Sequence, residues 1–97
     1  MINGTKERII RKEVRFDKEN SYSYELTCKE SASVVSYGLP LYTVKVSMTD
    51  SKGTTKKATA NDAFSDKGRA LVFFDKIVRN LATPIDLSYI IEDEYLD

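Results

Sequence analysis

The chain has 97 residues, which fits one small domain and leaves no room for two. Fifteen Lys and Arg residues balance fifteen Asp and Glu residues, so net charge gives no attraction to nucleic acid or to an anionic membrane. The sequence has no His and one Cys, so most of the side-chain combinations that form catalytic sites or metal sites are excluded. We therefore expect one domain over residues 1–97 that is not an enzyme and holds no cofactor or metal.

The N-terminal segment predicts a flexible start followed by a strand. Residues 1–7 lack the apolar run of a signal peptide, so we expect a cytoplasmic protein, and the single cysteine agrees with a reducing compartment. Residues 8–16 then alternate apolar and polar side chains, which predicts a half-buried strand. Its inward side chains are expected to be Ile10, Val14 and Phe16.

Two further strands show the same alternation with larger apolar side chains. The second follows a polar turn at residues 17–21 and is expected to run antiparallel to the first. The third begins at Leu41, and the segment before it contains Gly38 and Pro40, which predict a bulge or bend. The inward side chains expected on these two strands are Tyr22, Tyr24, Leu26, Cys28, Tyr42, Val44, Val46 and Met48.

A lysine-rich hairpin follows the third strand. Its turn at residues 50–53 ends in Gly53, which can adopt positive φ. Residues 54–60 are short of large apolar side chains, which predicts an edge strand protected by charge against unwanted pairing. The lysines of this hairpin are Lys45, Lys52, Lys56 and Lys57.

From Ser65 the apolar spacing changes to that of a helix. We expect Ser65 to cap the helix and Thr83 before Pro84 to end it. Its core stripe is expected to comprise Ala70, Leu71, Phe74, Ile77, Val78 and Leu81.

The last residues predict a second, shorter helix. Asp86 is its expected cap, with Ile85 and Ile90 in contact across that cap. Leu87 and Ile91 are expected to face the core together with Ile90.

The order of these elements predicts the fold class. Four strands followed by two helices make an α+β domain, because the sheet must cover its apolar face and an amphipathic helix can do so. We expect a four-stranded antiparallel meander over residues 8–61, with two helices in residues 65–97 packed on one face of it.

Two apolar spots are candidate docking sites for another protein or for a second copy of the chain. On the first helix, Val72 lies among charged residues and Phe73 lies at the margin of the core stripe. The second spot lies beside the irregular segment, where loops often carry function. The candidate interaction residues are Val72, Phe73, Lys76, Arg79, Tyr37 and Leu39.

A nucleic-acid interface on the lysine-rich hairpin is the alternative function. Sheet-based RNA binders stack bases on tyrosines beside such lysines, but here the tyrosines are expected on the face that the helix covers. Charge is also divided: residues 1–60 carry eleven Lys and Arg against seven Asp and Glu, and residues 61–97 carry four against eight. The acidic end could bind a cation or a basic partner.

Two segments of the sequence resemble a known family. They are Ser36-Tyr37-Gly38-Leu39, and Thr83-Pro84-Ile85-Asp86-Leu87 followed by Ile91-Glu92-Asp93-Glu94-Tyr95-Leu96. Together they resemble a family of small proteins of clostridia-type bacteria that is defined as a domain of unknown function. The resemblance spans about residues 20–97. It implies a bacterial, cytoplasmic protein without assigned catalytic residues.

Overall fold

The computed structural model describes residues 7–31 and 38–96 and confirms the α+β meander. Its four strands form one antiparallel sheet in which each strand pairs with the next in sequence, and two helices pack against that sheet. The elements are β1 (Arg8–Phe16), β2 (Ser21–Glu30), β3 (Pro40–Thr49), β4 (Thr55–Phe64), α1 (Lys67–Arg79) and α2 (Pro84–Leu96). The predictions for residues 1–6 and for Tyr37 lie outside the described residues.

The core lies between the central strands and the helices. The predicted inward side chains of β2 and β3 are buried, with Met48 partly buried at the end of its strand. Cys28 is one of these buried residues, as the parity of β2 predicts. The helices contribute the opposite side of the core with Ala70, Phe73, Phe74, Ile77 and Leu87.

Helix α1 packs against the sheet with the predicted stripe, and Phe73 belongs to its buried face as well. Phe73, placed at the margin by the sequence pattern, is 1% exposed, and its ring lies 5.2 Å from that of Phe64 at the end of β4. The expectation of an exposed Phe73 is therefore wrong. Three members of the predicted stripe are only partly buried, namely Leu71, Val78 and Leu81.

Both helices begin at caps that differ from the predicted ones. Asp66, not Ser65, caps α1, because its Oδ2 accepts a hydrogen bond from the Arg69 backbone N–H at 2.8 Å. At α2, the Asp86 N–H donates to Thr83 Oγ1 at 3.2 Å, and the Thr83 N–H donates to Asp86 Oδ2 at 3.0 Å. This reciprocal capping box starts the helix at Pro84, so Ile85 lies in the first turn of α2 and not before its cap, and its side chain is exposed.

Strand β4 is an edge strand, as predicted, but it continues to Phe64 instead of ending near residue 60. A bulge permits the extension: Tyr42 lies opposite Phe64 and Val44 lies opposite Ala60, so β4 contains extra residues between them. Within the bulge Asp62 has a φ of 50°, and its N–H donates to Thr43 Oγ1 at 3.0 Å. The bulge turns Ala63 and Phe64 into the core.

Strand β1 faces the opposite way from the prediction. Ile10 is partly buried, as expected, but Val14 and Phe16 are exposed. The turn explains the error, because it pairs Phe16 with Ser21, and directly opposed residues share a face of the sheet. Phe16 therefore lies on the face of Ser21, opposite to that of Tyr22.

A buried phenol joins the sheet to the link between the helices. The Tyr24 hydroxyl donates a hydrogen bond to the Ala82 carbonyl oxygen at 2.9 Å, and its side chain is fully buried. Burial raises the pKa of Tyr24 from its ordinary value of 10.0 to about 12. The folded protein therefore favours the neutral phenol.

We expect Tyr24→Phe to lower the free energy of unfolding by about 1–3 kcal/mol, because the Ala82 carbonyl loses a buried partner. The raised pKa also makes stability depend on pH. The contribution of the neutral phenol is complete below pH 10 and is lost as the pH rises from 10 toward about 12. Urea unfolding curves recorded between pH 8 and 11, at intervals of about half a pH unit, measure both effects. An unchanged alkaline fall in stability in Tyr24→Phe would contradict this assignment.

Candidate interaction surface

The face of the sheet opposite the helices carries apolar side chains along β1. In the β1–β2 register, Val14 lies opposite Ser23 and Phe16 lies opposite Ser21. Ile9 lies on the same face, opposite Thr27. The exposed fractions are 60% for Ile9, 50% for Val14 and 73% for Phe16. These three residues, with the outer backbone edge of β1, are called the β1 surface below.

The outer edge of β1 has no strand partner among residues 7–31 and 38–96. Eight of the nine residues of the strand are exposed, so the helices leave this edge uncovered. An unpaired edge presents backbone N–H and C=O groups that can pair with another strand. The β1 surface thus combines free backbone groups with exposed apolar side chains.

Charged residues occupy the other face of β1. Arg11, Glu13 and Arg15 lie opposite Leu26, Tyr24 and Tyr22. Arg15 reaches the helix layer, where its Nη1 donates to the Val78 carbonyl oxygen at 3.1 Å. This contact places a positive charge at the C-terminal end of α1, where the helix dipole favours it.

Polar contacts cover one end of the open face. Thr27 Oγ1 donates to Glu7 Oε2 at 2.7 Å, and Lys45 Nζ lies 3.3 Å from Glu7 Oε1 and 3.9 Å from Glu25 Oε1. The hydrogen bond from Thr27, assisted by Lys45, holds the pKa of Glu7 below its ordinary value. Val14 and Phe16 lie toward the opposite end of β1, away from this cluster.

The structure does not place the four hairpin lysines on one surface. Lys45 and Lys57 lie on the open face, where Lys45 is paired with carboxylates. Lys56 lies opposite Met48 and so belongs to the face that carries the core. Lys52 lies in the turn. A nucleic-acid strand would therefore meet at most part of this set on one face.

The predicted docking spot on α1 reduces to one apolar side chain. Val72 is 70% exposed, but its neighbour Phe73 is buried. Val72 lies in a groove of about 420 Å³, in which Glu94 of α2 pairs with Arg69 at 3.4 Å and with Lys76 at 4.0 Å. Glu94, in the acidic end of the chain, thus has its cationic partners on α1.

The other candidate residues lie apart from this groove or outside the described residues. Arg79 is exposed at the end of α1, and Leu39 is exposed just before β3. No three His, Cys, Asp or Glu side chains in the described part of the chain are grouped so that they could hold a metal ion. Neither α1 nor α2 has the length and apolar character needed to cross a membrane.

Within residues 7–31 and 38–96, the fold is a two-layer α+β domain in which β1 is an exposed edge strand of a sheet whose helices pack on one face. A family model matches residues 5–97, and the chain belongs to DUF6514, a family of unknown function. The predicted resemblance to a family of unknown function is confirmed to that extent, and the match also includes β1. No match was found among curated proteins or among solved structures.

The neighbours Val72 and Phe73 provide a test of the observed helix face. Phe73→Ala is expected to lower the free energy of unfolding by about 3–5 kcal/mol, because it opens a cavity in the core. Val72→Ala is expected to change it by no more than about 0.5 kcal/mol, since the side chain is largely in solvent. Urea unfolding of both variants measures the difference. Equal losses of stability would show that the helix face is assigned wrongly.

Proposed function

We propose that this protein is a non-catalytic protein-interaction module that binds its partner through the β1 surface. The observation that carries the proposal is the position of Phe16, which is exposed beside an unpaired strand edge. A partner strand added at this edge would gain main-chain hydrogen bonds and contacts with alternate side chains. The β1 surface offers both kinds of contact.

Other exposed apolar residues support binding less well. Val72 stands alone among paired charges, and Ile85 and Tyr89 of α2 lie on a helix whose backbone groups are already bonded. Single exposed apolar residues are common on soluble proteins. The β1 surface differs because three apolar residues share one face next to free backbone groups.

Nucleic-acid binding remains the alternative proposal. Its support is the presence of Lys45 and Lys57 on the same open face. That support is smaller than the sequence suggests, because Lys45 is paired with Glu7 and Glu25. Binding to nucleic-acid phosphates depends on unpaired cations of the protein, which displace the counterions condensed on the nucleic acid.

We further propose that the module works in the bacterial cytoplasm, as the resemblance to clostridial proteins implies. Cys28, the single cysteine, is buried, which is compatible with a reducing compartment.

Capture of bound proteins from a lysate of the native host tests the proposal. The double variant Val14→Thr with Phe16→Thr keeps strand-forming side chains and removes the apolar surface. We expect it to lower recovery of the partner at least tenfold, which corresponds to about 1.4 kcal/mol of binding free energy. Val72→Asp is the matched control on α1 and should leave recovery unchanged.

The same capture separates the alternatives. Retention of the partner by the β1 double variant together with its loss in Val72→Asp would move the site to α1 and contradict the proposal. Recovery that nuclease abolishes and that falls steeply with salt would instead favour the lysine-rich hairpin.

A further inference from the structure

Strand β1 has a charge pattern that matches its own reversed copy. We infer that the partner of β1 is a second copy of this chain, which pairs antiparallel along the outer edge and joins the two sheets into one. This inference rests on the proposed function of β1 and names the partner. Its basis is the order of charged and apolar side chains in residues 11–17.

Two-fold symmetry restricts how two β1 strands can pair. In a continuous antiparallel sheet, opposed residues must lie on the same face, so one residue of each copy meets itself on the axis. The register of β1 against β2 shifts between Ile9 and Arg11, which makes Ile10 the bulged residue. Regular pairing is therefore available to residues 11–16.

One register pairs opposite charges throughout this segment. With Val14 on the axis, Glu13 of each copy lies opposite Arg15 of the other, on the face that points toward the helix layers. Arg11 then lies opposite Asp17, just beyond the end of the strand. Opposite charges at directly opposed positions of a sheet stabilise the pairing.

The same register also covers the exposed apolar residues. On the open face, the two Val14 side chains meet at the axis, and Lys12 of each copy lies opposite Phe16 of the other. A lysine can lay its methylene chain over an aromatic ring while its ammonium group stays in water. Pairing thus brings Val14 and Phe16 into contact with the second copy, whereas Ile9 lies outside the paired segment.

Neighbouring registers bring like charges together. With Glu13 on the axis, the two Glu13 carboxylates meet and Arg11 lies opposite Arg15. With Lys12 on the axis, two ammonium groups meet and the bulge at Ile10 enters the pairing. Like charges directly opposite are destabilising, so the charges of β1 favour Val14 on the axis.

Analytical ultracentrifugation of the full chain tests this inference through charge reversal. Glu13→Arg places arginines opposite one another and should weaken the dimer at least tenfold. The double variant Glu13→Arg with Arg15→Glu restores opposite charges across the axis and should recover most of the association. Glu19→Arg is the matched control, because it makes the same charge change at an exposed residue of the turn.

Crosslinking tests the register independently of charge. In a Cys28→Ala background, Val14→Cys should link two copies rapidly with a short bismaleimide, since the axis brings these side chains together. Thr59→Cys is the control, because Thr59 is exposed on the same face but at the far edge of the sheet. Circular dichroism of each variant confirms that the chain is folded.

The outcomes distinguish this inference from the proposed function. The wild-type chain could stay monomeric at all concentrations while the double variant Val14→Thr with Phe16→Thr loses a captured host protein. That result would contradict self-pairing and support the proposed function. A dimer that Glu13→Arg does not weaken, or equal crosslinking at Thr59→Cys, overturns the assigned register and edge. A monomer whose β1 variants also retain every captured protein overturns both proposals.

Discussion

The contact between α1 and the apolar face of β2 and β3 is the constraint from which the remaining structure follows. Tyr24, Leu26 and Val44 are fully buried in it, against Phe74 and Ile77. Burial of such side chains is the main favourable term in folding. Two helices of thirteen residues each cover the central strands and β4, but they leave β1 exposed. The edge strand could therefore carry charges on the helix side and apolar residues on the open side without disturbing the core.

Two hydrogen bonds connect this partly covered sheet to the end of α1. Arg15 of β1 donates to the Val78 carbonyl, and Tyr24 of β2 donates to the Ala82 carbonyl. Val78 lies in the last turn of α1, where its carbonyl oxygen also accepts from the Leu81 N–H at 3.2 Å, and Ala82 lies in the link between the helices. In the same region Leu81 takes a φ of 51°, an uncommon conformation for a leucine. The sheet thus supplies donors at the place where the chain leaves α1 for α2.

The sequence predicts the elements and the core well because period and burial agree in β2, β3 and both helices. The alternation of apolar and polar residues in β1 does not show which of its side chains face the core. An edge strand has few buried contacts, so burial does not determine its orientation. Its face is set instead by the turn: residues 17–20 join Phe16 to Ser21, so Arg15, and not Phe16, shares a face with Tyr22. The helical spacing alone does not place Phe73 in the core, because the contact that buries it comes from Phe64, which the bulge in β4 turns toward α1.

The charges of β1 give its edge a selectivity that apolar residues alone would not. Inward-pointing charges and a bulge are devices by which proteins prevent nonspecific pairing of sheet edges. In self-pairing, Glu13 meets like charge when Glu13 or Arg15 lies on the axis, and when Lys12 lies on the axis the two Lys12 ammonium groups repel although Glu13 meets Arg11. Such a pattern rejects wrong partners by repulsion while one arrangement remains matched. In the proposed dimer, the exposed Val14 and Phe16 supply apolar contact in that arrangement, so the two faces of β1 would have separate tasks: one would select the partner and the other would contact it.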